Sequence, residues 1–182
     1  RQRGALYGLA VGDALGAAVE FKPRGSFPLV TGYRGNGPHK LQPGEWTDDT
    51  SMALAMAVAI GKHGWNTHAQ LTEYLAWHQT GKHSVNGKCF DIGCTTSAAL
   101  RQFAATGQTI ANNADNKQSG NGSIMRLAPM PIKYHQLWFD DPRSFLIMAG
   151  DSSKTTHASP QCVSACQYMA ALLAQFIQEP IP

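Results

Sequence analysis

The sequence predicts an all-α protein, a compact orthogonal multi-helix bundle. Three observations lead there: apolar residues recur at helical spacing, caps and prolines stand where helices should begin, and no segment alternates apolar and polar residues as a half-buried strand does. The first helix is expected over residues 4–21, GALYGLAVGDALGAAVEF, where glycine returns at Gly4, Gly8, Gly12 and Gly16. That ridge would let another backbone approach closely, and only tight packing would offset the roughly 1 kcal/mol each helical glycine costs. At about 100° per residue, Asp13 and Glu20 fall on one face with Leu6 and Leu9. Two carboxylates on an apolar face call for a cation, backbone donors or a ligand hydroxyl. The alternative is that Asp13 caps a neighbouring helix while Glu20 reaches solvent at the helix end.

Residues 22–43 carry prolines and glycines without helical period and form a long loop, of the kind that often carries function. It leads into Gly44–Thr50, GEWTDDT, which places four oxygen-bearing side chains, Thr47, Asp48, Asp49 and Thr50, just before the uncharged run SMALAMAVAI of residues 51–60. That run predicts a buried helix. One such residue suffices as a cap, whereas adjacent carboxylates repel once water is thinned out, and a divalent cation relieves that repulsion. The plainer alternative is an over-capped core helix.

Asn66 and Thr67 open a short amphipathic helix with Leu71, Tyr74, Leu75 and His78 on one face, His78 at the core edge. A glycine-containing loop then brings Asp91 ahead of a helix opened by Thr95 or Thr96, as a cap or as a site residue. Residues 111–119 are expected to be a mobile polar loop. Ser119 to Ser123, SGNGS, offers free backbone N–H groups that could cradle phosphate if a helix follows, or could be an ordinary turn; Arg126 adds a cation nearby. Further helices are expected around residues 143–150 and from Ser159, an N-cap followed by Pro160, with His157 in the turn before it.

The 182 residues suit a single domain spanning 1–182, and 43% apolar with 15% charged residues is globular rather than disordered composition. The net charge of +3 is scattered, without a run of like charge or an aromatic stripe, which argues against nucleic acid and membrane surfaces. No stretch has the length of a membrane span or the shape of a signal peptide, so a cytoplasmic protein is expected. Cys89 with Cys94 and Cys162 with Cys166 lack the spacing of zinc knuckles and are read as reduced structural thiols.

Five motifs stand in one order: GLAVGDALGAAVEF, PGEWTDDTSMAL, CFDIGCTTSAAL, GNGSIMRLAPMPI and THASPQCVSAC. Together they resemble the ADP-ribosylglycohydrolase family, the group of the dinitrogenase reductase activating glycohydrolases, over nearly the whole chain. The resemblance implies an all-α fold with a binuclear magnesium or manganese centre that hydrolyses the bond between the terminal ribose of ADP-ribose and a protein side chain, arginine being plausible, or a small leaving group. By the same resemblance Thr47, Asp48 and Asp49 are metal ligands, and Glu20 and Asp91 are catalytic or substrate-positioning acids. Gly120, Asn121, Gly122 and Ser123 hold the diphosphate and distal ribose, supported by Met125 and Arg126, with His157 on the substrate side. The family's second metal motif is not found before Pro182, and the last acid, Glu179, stands beside prolines. The expectation is therefore a C-terminally incomplete domain, or one keeping half of the centre. Two further functions compete: a non-catalytic ADP-ribose-binding module derived from such an enzyme, and a structural helical protein whose acids are only caps.

Overall fold

The computed structural model describes residues 1–178, residue 116 in its backbone only, so Glu179 lies outside the described residues. The all-α expectation holds: there are seven α-helices and no strand among the described residues, the nearest approach to a sheet being one isolated bridge between Asn36 and Leu41. The helices are α1 (Gln2–Gly16), α2 (Asp48–His63), α3 (Thr67–Thr80), α4 (Cys94–Thr106), α5 (Pro129–Asp140), α6 (Pro142–Lys154) and α7 (Pro160–Gln178).

Their ends follow the local chemistry. Asn66 accepts from the Ala69 N–H to start α3, and Gly81 ends that helix in the left-handed region that glycine enters without penalty. Asp141 caps α6 through the Ser144 N–H. Helix α5 is the element that the sequence pattern does not suggest. Pro129 and Pro131 look like breakers, yet both sit in its first turn, where no intrahelical N–H is needed.

Two packed groups share one core. Helix α7 lies against α5 and α6, while α2 lies against α3 and α5, and α4 packs on α3. Met52, Met56, Leu71, Tyr74, Trp77 and Phe145 are buried at the centre. His78, as expected, is only partly covered. Helix α1 leans on α2 and touches α5. Among the described residues its glycine ridge does not receive another backbone: a Cβ at Gly4, Gly8, Gly12 or Gly16 would meet none of their atoms within 4 Å beyond its own helix. Among the described residues no helix is long and apolar enough to cross a membrane.

Candidate active site

Asp13 organises the start of α2 from the last turn of α1. Its carboxylate accepts from the Thr47 N–H (3.0 Å) and Oγ1 (2.8 Å), and from the Thr50 N–H (3.0 Å) and Oγ1 (2.6 Å). Thr47 is the N-cap residue, but its own side chain caps nothing. The cap comes from another helix, as one of the two readings of Asp13 had it. Asp48 and Asp49 are thereby spared that duty, and stand in the first turn of α2, where the helix dipole favours negative charge.

Glu20 does not share a helix face with Asp13. Helix α1 ends at Gly16, tightens into a 3₁₀ turn over Ala17–Val19, and leaves Glu20 extended at φ −55° and ψ 145°, so the helical angular count no longer applies. Asp91 caps nothing either. Gly93 is the N-cap residue of α4, and Asp91 stands before it with a φ of +61°. Both acids instead meet His39, whose Nε2 lies 2.9 Å from Glu20 Oε2 and 3.3 Å from Asp91 Oδ1.

These acids border a cavity of about 570 Å³, together with residues 92–96 at the start of α4 and with Gly120, Asn121, Gly122, Met125 and His157. Glu20, Asp48, Asp49 and Asp91 all contribute to its wall. A second cavity of about 340 Å³ is bordered by Gly12, Asp13 and Thr47 and shares Glu20, Asp49 and Asn121 with the first. Carboxylates this close disfavour one another's charge. Burial, and then Asp49, Asp91, Asp13 and Glu20, push Asp48 up to about 9. Burial and Asp13 push Asp49 up to about 6. Asp91 rises to about 6 through burial and Glu20, against the pull of His39.

The glycine loop is held from behind. It is a series of turns, not a helix start, because α5 begins only at Pro129. Arg126 is wholly buried and stays out of the cavity lining: it donates to the Gly122 carbonyl (2.8 Å), to Thr155 Oγ1 (2.9 Å) and to the Ser152 carbonyl (3.3 Å), and lies 4.5 Å over the Tyr74 ring. Ser123 also turns inward, accepting from Ser153 Oγ at 2.9 Å. Both brace the loop rather than face the large cavity. Gly122 is pressed against His157 and Thr96, 2.7 Å and 2.8 Å from where its Cβ would be. His157 is buried, with Nδ1 2.8 Å from Thr156 Oγ1; burial and then Arg126 push its pKa down to about 4, so the ring facing the cavity is neutral at pH 7.

The residues present fit a hard divalent cation. Thr47 Oγ1 gives its proton to Asp13 and keeps lone pairs free, and Asp48 and Asp49 add carboxylate oxygens whose charge a cation would restore. His39 and Thr96 are the site residues that sequence reasoning missed. A lone histidine in a long loop carries no periodic signal, and Thr96 was read only as a helix opener.

All-helical proteins with a carboxylate-lined cleft fed by helix N-termini and backed by a glycine loop form a recognisable class. This chain belongs to the ADP-ribosylglycohydrolase family, whose model matches residues 1–181. It is 40% identical over 181 residues to the ADP-ribosylarginine hydrolase Tri1 of Serratia proteamaculans (strain 568), covering 97% of this chain and 47% of the relative. To the ADP-ribosyl-[dinitrogen reductase] glycohydrolase of Rhodospirillum rubrum it is 30% identical, covering 97% and 58%. A solved structure described as an ADP-ribosylglycohydrolase-related protein complex superposes with a TM-score of 0.79 at 39% identity, over 96% of this chain and 55% of that one. The chain thus spans about half the length of these relatives.

Proposed function

We propose that this chain carries the substrate cleft and metal-binding residues of a metal-dependent hydrolase that removes ADP-ribose from modified arginine side chains. The observation that carries the reading is the convergence of Glu20, Asp48, Asp49 and Asp91 on one cavity with the Gly120–Gly122 loop and His157. At about 570 Å³ the cavity is of the size that takes a nucleotide-like ligand. The relatives named for ADP-ribosylarginine and for ADP-ribosylated dinitrogen reductase support the substrate class.

Breaking the bond from the anomeric carbon to the guanidine builds positive, oxocarbenium-like charge on the ribose, which neighbouring carboxylates stabilise. Glu20 and Asp91 border the cavity beside each other, and either can take the proton of the water that adds to the anomeric carbon. The start of α4 and the glycine loop offer N–H groups to the diphosphate, and neutral His157 offers a hydrogen bond without charge. Magnesium or manganese held by Thr47, Asp48 and Asp49 would supply anchoring of ribose hydroxyls and acidification of a water. A cytoplasmic setting fits the four unpaired thiols.

The test is release of ADP-ribose from an ADP-ribosylarginine peptide, with magnesium or manganese and after chelation. Metal-dependent release by the chain, abolished in the Asp48→Ala/Asp49→Ala double variant, is the expected result. Undiminished turnover in that variant would sink the metal assignment. Tight ADP-ribose binding without turnover at any metal concentration would leave a binding module in place of the hydrolase.

A further inference from the structure

His39 stands behind the acids, not among the residues that border the large cavity. Its Nε2 faces Glu20 Oε2 at 2.9 Å and Asp91 Oδ1 at 3.3 Å, and its side chain is only 15% exposed. Glu20 is the hydrogen-bond partner of that nitrogen, and the Asp91 carboxylate lies within ion-pair distance of it. The ring is met by the sequence neighbours of those same acids. Phe21, next to Glu20, meets it edge-on at 6.1 Å, and Phe90, next to Asp91, meets it at 5.4 Å. Phe21 and Asp91 both hold left-handed backbones, with φ of +59° and +61°, a region that a bulky residue such as phenylalanine rarely enters.

The loop that carries His39 is fixed independently. Asn36 and Leu41 close it with paired backbone hydrogen bonds of 2.7 Å and 3.0 Å. Gly37, at φ +64°, lies so close to the 3₁₀ turn before Glu20 that a Cβ would stand 2.7 Å from Ala18 Cα and 2.8 Å from the Ala17 carbonyl. One imidazole on an anchored turn therefore touches two chain segments that are some seventy residues apart in sequence, 20–21 and 90–91.

The geometry points to His39 as a positioning residue that holds Glu20 and Asp91 together at the cavity wall, so that one carboxylate is oriented toward the reacting water while the other stabilises charge. This rests on the hydrolase reading given above. Supporting residues of this kind fix the angles of groups they never replace, and their loss lowers turnover more than binding.

His39→Phe keeps a ring beside Phe21 and Phe90 but removes the polar nitrogen that faces the two carboxylates, whereas His39→Gln returns an N–H donor at similar reach. Hydrolysis of an ADP-ribosylarginine peptide is measured for both beside the wild type, with calorimetric titration of ADP-ribose. The expected result is a kcat lowered by about tenfold or more in His39→Phe, KM and ADP-ribose affinity within about threefold, and most of kcat recovered in His39→Gln. A kcat within about twofold of wild type in His39→Phe overturns the proposal, as does a His39→Gln variant as impaired as His39→Phe. A His39→Phe defect erased by raising manganese makes the imidazole a metal ligand and also overturns it. A wild type that binds ADP-ribose without turnover overturns the hydrolase reading alone, and the ring-nitrogen NMR signals of His39 then decide its role. A protected Nε2–H resonance displaced in both Glu20→Gln and Asp91→Asn sustains the positioning; one unmoved by either substitution ends it.

Discussion

A methyl group on Gly122 would sit 2.7 Å from His157 Cε1, 3.1 Å from His157 Nε2 and 2.8 Å from Thr96 Oγ1. None of these is the loose end of a long side chain, so the glycine loop or the histidine has to shift. Gly122→Ala is therefore expected to weaken ADP-ribose binding by about tenfold and to cost roughly 1–3 kcal/mol of stability, checked by calorimetry and by urea unfolding. At this scale the sequence was informative where a residue's type restricts its role. Paired Asp48 and Asp49 at a helix entrance, and Asp91 just ahead of another, stood out from the bare string. Arg126 and Ser123 did not reveal their direction, because adjacent loop residues can point into a cavity or away from it with no change in composition. His39 gave least of all, since its meaning lies in what Glu20 and Asp91 do some distance away along the chain.

Helix α2 depends on an acid it does not own. With Asp13 replaced by Ala, Thr47 and Thr50 lose the acceptor for both their N–H groups and their hydroxyls, at a helix end that is largely buried. A loss of about 2 kcal/mol or more is expected from chemical unfolding. The far end of α3 is tied to the following loop in another way. Glu73 accepts from Lys82 Nζ at 2.6 Å and lies 3.0 Å from His83 Nε2; although burial opposes its charge, those partners hold its pKa below the usual carboxylate range. A depressed folded pKa adds stability above the unfolded value of about 4.3, and that stability is lost as pH falls through the lower folded value. Glu73→Gln should thus be less stable than the wild type near neutrality and converge with it in acid, seen as unfolding midpoints against pH. Element positions were largely legible: the buried run after Thr50, the Asn66 cap and the Ser159–Pro160 start all lie where helices begin. Helix α5 was not, since Pro129 and Pro131 mark interruption in a string and a first turn in a fold.

For the molecule as a whole, the concentration of Asp13, Glu20, Asp48, Asp49 and Asp91 around two cavities that share lining residues is a standing electrostatic cost. A cation that binds the folded chain but not the unfolded one should raise the thermal midpoint, with a stabilisation that grows as the logarithm of its concentration over its dissociation constant. Manganese is expected to raise the midpoint of the wild type by several degrees, a shift of about 2–3 kcal/mol at roughly a hundredfold excess over Kd, and chelation should remove it. The Asp48→Ala/Asp49→Ala variant should show no such response while unfolding cooperatively. The family was legible because five short motifs kept their order. Their convergence on one cavity was not, because it depends on where α1, the 22–43 loop, α2 and the stretch before α4 meet, which spacing along the chain does not encode.

Glu20, Asp49 and Asn121 border both cavities at once, so a change at any of the three alters the walls of both. On the hydrolase reading, a substitution at any of the three should therefore disturb the occupants of both cavities together.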